Sequence, residues 1–186
     1  MLEEVASRYD EAHRHYHDRR HLEQVLGDVE RLLPTMAVPD ADAVRLAALF
    51  HDAVYDPRSA TNEADSADLA GELLAGRQPA ARVAAVRRLV LATASHEASG
   101  PDEAVLLDAD LAILATDRAR YAAFVRAVRL EFGHVPDPAW RAGRAAVLTS
   151  LLALPRLFST PPMQRLEVVA RQNLAAELGS LQAGGP

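Results

Sequence analysis

Residues 40–57 read DADAVRLAALFHDAVYDP and combine a strongly apolar helix with an ionisable pair. Asp40 is suited to cap a helix whose apolar side chains follow helical spacing, and Asp56-Pro57 is expected to end it. The apolar positions are Val44, Ala47, Leu49, Phe50 and Val54. His51 and Asp52 stand at the C-terminal end of this apolar face. The stretch therefore predicts a buried helix that finishes on two polar side chains.

The same helical periodicity extends outward from this stretch. Apolar residues from Leu22 to Leu33 recur at helical spacing, and Pro34 stops the run. Further helices are predicted from Thr61 to about Leu74, from Pro79, from about Asp102 to Ala115, from Asp117, from Asp137-Pro138, and from Thr160-Pro161 to Gly179. The predicted caps of these helices are Thr61, Asp117, Asp137 and Thr160.

The sequence contains no period-2 strand pattern, no hairpin turn and no internal repeat. We therefore predict an all-α fold, a single-domain bundle of about seven to nine helices. The predicted domain covers residues 1–180, and a loose tail follows at 181–186.

The composition excludes several classes of site. The chain has 186 residues with neither cysteine nor lysine, which excludes thiolate metal sites, catalytic thiols, Schiff-base lysines and the P-loop lysine. A net charge of −6 argues against a nucleic-acid polymer as partner. The N-terminus is charged, and no stretch is apolar enough to span a membrane, so we expect a cytoplasmic protein without a membrane partner. A homo-oligomer is compatible with the sequence.

Four of the seven histidines crowd into one short segment, as His13, His15, His17 and His21. If this segment is helical, His13, His17 and His21 share one face at successive i, i+4 steps. A metal or phosphate site and a solvated polar start to the chain are both consistent with this cluster.

Two further features place ionisable side chains in apolar helices. Burying the His51-Asp52 pair costs several kcal/mol unless a partner satisfies it, and either a divalent ion or a hydrogen-bonded closure of the helix would do so. In residues 106–111, LLDADL, Asp108 and Asp110 point about 200° apart, so at most one of them faces a given site. His96, at the end of the preceding predicted helix, is consistent with a cap, a core group or a site residue.

Taken together, His21, the doublet His51-Asp52 and Asp110 give the order H…HD…D. This order resembles the HD-domain superfamily of metal-dependent phosphohydrolases, which are all-helical. The chain is more closely similar, over nearly its whole length, to the small group called predicted metal-dependent HD phosphohydrolases. The segments that carry this likeness are 15–21 (HYHDRRH), 50–57 (FHDAVYDP), 62–63 (NE), 92–96 (ATASH), 106–111 (LLDADL), 129–132 (RLEF) and 143–144 (GR).

The resemblance implies one divalent metal ion and a small phosphorylated substrate, with a nucleotide favoured. It assigns the metal ligands as His21, His51, Asp52 and Asp110, with Asp108 as the alternative to Asp110. It does not distinguish Mn, Fe, Co, Ni, Zn and Mg. The supporting roles it suggests are Asp56 or Glu63 to orient or deprotonate water, His17 or His96 to protonate the leaving oxygen, and Arg19, Arg20 and Arg144 to pair with phosphate oxygens.

The chain departs from better-known relatives directly after the doublet. Hydrolases of the alarmone ppGpp carry Glu-Asp where this chain has Tyr55-Asp56, and bacterial HD nucleotidases place Glu at the position of Tyr55. The missing carboxylate weakens both assignments, although Glu63 is a candidate replacement. Two other functions stay open. One is an HD-type diiron oxygenase, which needs further histidines between the doublet and the last Asp, where this chain has only His96. The other is a non-catalytic binding module.

Overall fold

The computed structural model describes residues 2–183. This part of the chain contains ten α-helices and no β-strand. The helices are α1 (Leu2–Arg8), α2 (Arg19–Leu32), α3 (Ala41–Phe50), α4 (Asn62–Leu74), α5 (Ala80–Ala92), α6 (Pro101–Asp110), α7 (Arg118–Glu131), α8 (Asp137–Ala153), α9 (Pro161–Gln164) and α10 (Glu167–Ala183). The predicted all-α single domain is confirmed. Ten is one more than the predicted seven to nine. The seven-residue α1 was not predicted, and the helix predicted from Thr160-Pro161 to Gly179 is divided into the four-residue α9 and α10.

Three of the described helices begin at an aspartate whose side chain accepts hydrogen bonds from the first turn. Asp40 and Asp117 cap α3 and α7, as predicted, and Asp18 caps α2 in the same way. Thr61 and Thr160 stand at the predicted N-cap positions, but their side chains bond to Asp65 and Asp108 and do not cap the helix. The predicted cap Asp137 is wrong, since α8 begins at that residue and its side chain bonds to Arg129.

The apolar helix α3 ends earlier than the sequence predicts. It stops at Phe50, so Val54 lies beyond it and Asp56-Pro57 does not terminate it. The chain leaves the helix here because other elements satisfy its backbone. The amide of Asp52 donates to the Tyr9 hydroxyl, and the amide of Val54 donates to Ser66.

Two other predicted boundaries also need correction. The α-helical part of α6 ends at Asp110, and residues Leu111–Ala115 continue as a 3₁₀ helix. Helix α10 runs past Gly179 to Ala183, since Leu178 and Leu181 continue its apolar packing against the core. A glycine inside a helix costs about 1 kcal/mol, which such packing offsets. Residues 184–186 of the predicted tail lie outside the described residues.

Helices α2, α3 and α6 pack against one another and form the centre of the molecule. Their facing side chains include Val29, Phe50 and Leu106, each fully buried. Helices α4 and α5 pack beside this group, and α10 packs against α8 and the 3₁₀ helix that follows α6. The central three helices carry all four predicted metal ligands, either within a helix or directly after its end. Within residues 2–183, no helix is long and apolar enough to cross a membrane.

Candidate metal centre

Four polar side chains converge where α2, α3 and α6 meet. Nε2 of His21 and Nε2 of His51 lie 3.1 Å apart. Oδ2 of Asp52 lies 3.1 Å from the His51 nitrogen and 3.5 Å from that of His21. Oδ1 of Asp110 lies 3.3 Å from the His21 nitrogen and 3.7 Å from that of His51. We call these four residues the central cluster.

Three members of the central cluster, His21, His51 and Asp52, have the donor types and the spacing of a possible metal site. Atoms bound about 2.0–2.3 Å from one ion lie roughly 3 to 4 Å apart, and the five distances given above fall in this range. Imidazole and carboxylate together suit the borderline divalent transition ions. The two imidazoles are almost fully buried, whereas the carboxylates of Asp52 and Asp110 retain 18% and 15% exposure.

A backbone contact on the side of the ring away from the cluster fixes the orientation of His51. Its Nδ1 lies 2.8 Å from the carbonyl oxygen of Ala48. A carbonyl oxygen only accepts, so Nδ1 carries the proton and Nε2 presents its lone pair to the cluster. This backbone contact is the usual way in which proteins set the tautomer of a metal-binding histidine.

The carboxylates of Asp52 and Asp110 favour a positive charge in the central cluster. Burial lowers the pKa of His21. The hydrogen bonds that its ring makes to the carboxylates of Asp110 and Asp52 outweigh burial and raise this pKa to about 9. The two carboxyl pKa values move the other way: burial raises them, and the neighbouring histidines pull both well below their usual range. The site therefore favours ionised carboxylates opposite a positive charge.

A buried arginine and a buried tyrosine, neither identified from the sequence, support the doublet. The guanidinium of Arg14 donates to the carbonyl oxygens of Asp52 (2.8 Å), Ala53 (3.4 Å) and His17 (3.0 Å). The hydroxyl of Tyr9 donates to the carbonyl of Leu49 and accepts from the amide of Asp52. Both residues lie at or beyond the end of short α1, where no periodicity marks their role.

The two carboxylates of α6 separate as expected. Asp110 joins the central cluster, whereas Asp108 is directed at the segment before α9. There it accepts hydrogen bonds from the amides of Ser159 and Thr160 and from the Thr160 hydroxyl. Asp108 thus closes a loop onto the helix and leaves Asp110 as the carboxylate that faces the histidines.

His96 extends the cluster on the exposed side. Its Nε2 lies 3.3 Å from Oδ2 of Asp110. Its backbone has φ of 55°, the left-handed region that side chains with a Cβ rarely adopt. Among the described non-glycine residues it is alone in this conformation. The backbone therefore accepts strain where this imidazole meets Asp110.

His17 lies beside the cluster but not on a helix. Helix α2 begins at Arg19, so His13, His17 and His21 do not share the helical face that continuous periodicity would give. The ring of His17 contacts the ring of His21 at 5.6 Å and that of Tyr55 at 4.3 Å.

Glu131, at the end of α7, holds His17 in this position. Its carboxylate lies 2.7 Å from Nδ1 of His17. Glu131 belongs to the segment 129–132, but the sequence predicts no role for it, because no spacing links it to residues more than a hundred positions away.

The two carboxylates predicted to act on water lie apart from the cluster. Asp56 is exposed, accepts from the amide of Arg58, and lines a cleft of about 460 Å³ together with His13 and His15. Glu63 is half-buried in the first turn of α4. Among the described residues, neither makes a hydrogen bond or ion pair with a member of the central cluster.

The three predicted phosphate-binding arginines have different surroundings. Arg19 pairs with Asp10. Arg144 is mostly buried, and its guanidinium makes two hydrogen bonds to Glu177, so it stabilises the packing of α8 on α10. Arg20 is exposed and pairs with Asp18.

Arg20 also lines a cleft of about 570 Å³ that reaches His21. The walls of this cleft include Tyr16, Phe124 and Arg120. Asp18 and Glu23 also line the cleft, so two arginines and two carboxylates stand beside one imidazole of the central cluster. Comparisons of the chain with protein-family models, with curated proteins and with solved structures found no significant match.

Proposed function

We propose that this protein is a metal-dependent phosphohydrolase of the HD-domain type, which acts on a small phosphorylated metabolite. One observation carries the proposal: His21, His51, Asp52 and Asp110 meet with ligand-like spacing, in the order along the chain that this superfamily uses. In this proposal the four side chains hold one divalent ion. When bound, such an ion lowers the pKa of a coordinated water and polarises a phosphoryl oxygen.

The residues around the cluster supply the remaining functions. His17, partly exposed and set beside His21, protonates the leaving oxygen. His96, next to Asp110, is the second candidate for that step. Arg20 binds phosphate oxygens from the cleft that reaches His21. Arg144 and Arg19 have no part in this proposal, since neither lines the cleft beside His21.

The cleft beside His21 supports a nucleotide as the substrate class. Tyr16 and Phe124 place aromatic side chains in the wall of the cleft, and Arg20, which also pairs with Asp18, and Arg120 bring positive charge to it. The net charge of −6 disfavours a polymeric nucleic acid, whose many phosphates would be repelled.

Metal analysis followed by a phosphatase screen tests the proposal. We expect one divalent ion per chain and metal-dependent phosphate release from at least one nucleotide or sugar phosphate. The matched variants are Asp110→Asn, expected to lose metal and turnover, and Asp108→Asn, expected to keep both.

Two outcomes would replace this proposal with one of the alternatives. Two irons per chain with a mixed-valent electron-spin-resonance signal and no phosphate release would favour the diiron oxygenase. Bound metal with no turnover on any substrate, together with capture of an unmodified ligand, would favour the binding module.

A further inference from the structure

The carboxylate of Glu131 is among the most fully hydrogen-bonded groups in the described chain. Its side chain is completely buried. Oε1 accepts from three consecutive backbone amides, those of His15 (2.8 Å), Tyr16 (2.7 Å) and His17 (2.9 Å). Oε2 accepts from the Tyr55 hydroxyl at 2.8 Å and faces Nδ1 of His17 at 2.7 Å. With both oxygens engaged, Glu131 cannot itself reach a substrate or a water molecule.

These contacts fix the protonation pattern of the His17 ring. Three backbone amides donate to Oε1 and the Tyr55 hydroxyl donates to Oε2, and four donors favour the ionised carboxylate. An ionised oxygen only accepts, and Oε2 lies 2.7 Å from Nδ1 of His17. Nδ1 of His17 must therefore carry a proton. Nε2 has no hydrogen-bond partner among residues 2–183, and the side chain is 23% exposed. Nε2 is thus the nitrogen left for a bound molecule.

Tyr55 contacts both members of the pair that Glu131 forms with His17. The HD nucleotidases that the sequence resembles have a glutamate at the position of Tyr55, and among the described residues Glu63 makes no hydrogen bond or ion pair with the central cluster. The hydroxyl of Tyr55 donates to Glu131, and its ring packs on His17. A carboxylate is therefore present next to position 55 after all, but it comes from α7.

We infer that Glu131 is the positioning residue of a carboxylate–imidazole pair, which keeps a proton on Nδ1 of His17 and presents Nε2 to the leaving oxygen of the substrate. This inference rests on the proposed function for its chemistry and on the contacts above for its geometry. His17 is then the catalytic residue, because it touches the reacting atoms, and Glu131 and Tyr55 act through it.

The step balances without any further reactant. A bond forms from the water oxygen to phosphorus, and the bond from phosphorus to the leaving oxygen breaks. Before the step the His17 ring carries a second proton, on Nε2, and the ionised carboxylate of Glu131 stabilises this cation. The leaving oxygen takes the Nε2 proton, which leaves the neutral ring protonated on Nδ1. The attacking water retains one hydrogen in the phosphate product, and its other proton returns to Nε2. His17 therefore ends each turnover with the proton it began with.

Glu177 provides a matched control. It is also a buried glutamate that accepts from a tyrosine hydroxyl, that of Tyr121, and it pairs with Arg144. It makes no contact with His17 or the central cluster among the described residues. Glu177→Gln therefore removes an equivalent buried charge without touching the pair.

Nitrogen NMR of the His17 ring tests the geometry directly, in metal-free and metal-loaded protein. We expect the proton of the neutral ring on Nδ1 in the wild type, in Glu177→Gln and in Tyr55→Phe. In Glu131→Gln the amide oxygen remains with the three backbone donors, so the NH₂ group faces Nδ1. We therefore expect the ring proton to move to Nε2 in that variant. An unchanged Nδ1 proton in Glu131→Gln would overturn the inference.

Turnover of two phosphate esters tests the role. Benzyl phosphate has a leaving oxygen that needs a proton, whereas 4-nitrophenyl phosphate has one that does not. We expect Glu131→Gln to lower kcat on benzyl phosphate by about 10- to 100-fold, as loss of acid assistance implies. Its kcat on 4-nitrophenyl phosphate should fall by only a few-fold, with KM and bound metal unchanged. Equal losses on both esters would contradict the inference.

Two further results keep this test separate from stability and from the proposed function. If Glu131→Gln does not fold, His17→Ala must show the same difference between the two esters, and equal losses would again overturn the inference. If the wild type binds metal but hydrolyses neither ester nor any substrate of the screen, the proposed function is wrong and His17 loses its role with it. The NMR measurement then still decides whether Glu131 sets the ring.

Discussion

Asp108 and Asp110 stand two residues apart on α6, and their surroundings differ completely. The oxygens of Asp108 accept from two backbone amides and one hydroxyl, all donors of the chain itself. The oxygens of Asp110 face the imidazoles of His21 and His96, at 3.3 Å each. Burial raises the pKa of Asp108 above its usual value despite those donors, whereas the histidines outweigh burial and lower that of Asp110.

The contrast indicates how to distinguish a structural carboxylate from a candidate ligand. A buried carboxylate that the chain supplies with N–H and O–H donors needs nothing more. A carboxylate that meets only imidazole nitrogens shares its environment with other lone-pair donors and is best satisfied by a cation. The four predictions below test this distinction, beginning with the largest expected effect.

The largest effect is expected from Asp110→Asn. The substitution keeps the size of the side chain but removes one anionic ligand, so we expect loss of the bound metal and at least a hundred-fold loss of turnover. Metal content per chain, measured after dialysis, checks this. His51→Ala should have the same result. Full metal occupancy in both variants would mean that the central cluster is not the metal site.

We expect the opposite result for Asp108→Asn, namely lower stability with the bound metal retained. The NH₂ group of asparagine would face donors at Ser159 and Thr160, so we expect a loss of about 1–3 kcal/mol in the free energy of unfolding. Bound metal should stay at the wild-type level. Urea denaturation and metal analysis of the same preparation check both points. If this variant lost its metal while Asp110→Asn kept it, the roles of the two residues would be exchanged.

The stability that the ionised carboxylate of Glu131 contributes is expected to depend on pH. Burial raises the pKa of this carboxyl, but the hydrogen bond to His17 and the backbone amides outweigh burial and bring it down to about 2. Its unfolded pKa is higher, near the ordinary value of about 4.3. The stabilisation is therefore complete above the unfolded value and lost as the pH falls toward 2.

We accordingly expect the wild type to be more stable than Glu131→Gln at pH 6, with a gap that narrows as the pH falls from about 4.3 toward 2. Urea midpoints of the two proteins across this range provide the measurement. Glu177→Gln controls for the loss of a buried glutamate elsewhere. A gap that stayed constant over the whole range would show that Glu131 is not ionised in the folded protein.

The smallest effect concerns the arginines. Arg20 lines the cleft beside His21, so Arg20→Ala should raise KM by a few-fold and leave metal content and stability unchanged. Arg144 is held by Glu177, so Arg144→Ala should lower stability and leave KM unchanged. Steady-state kinetics and thermal melts of both variants separate the two cases. A higher KM in Arg144→Ala alone would restore that residue to the substrate site.

The sequence predicted the helices well wherever apolar spacing alone determines them. The runs beginning at Leu22, Asp40 and Asp117 are helices, and caps at the last two are confirmed. Helix ends were harder to place. The end of α3 depends on Tyr9 and Ser66, which reach the chain from other elements, and no local pattern encodes such contacts.

The candidate site shows the same difference between local patterns, which the sequence reveals, and long-range contacts, which it does not. The cluster residues follow from motif order, and the structure brings His21, His51, Asp52 and Asp110 together. Their supports were missed because each works over a long separation: Arg14 bonds to a carbonyl 38 residues away. The functional roles of all these residues stay predictions until metal and turnover are measured.

Glu131 accepts hydrogen bonds from three consecutive backbone amides, and these bonds affect how fast the amide hydrogens exchange with solvent. Residues 15–17 lie in an irregular segment, where amide hydrogens normally exchange quickly because no helix or sheet protects them. Here they are tied to the end of α7, across 114 to 116 residues of chain. They can exchange only when α7 lifts away from the N-terminal segment. Deuterium uptake at these three amides therefore reports how often that docking opens.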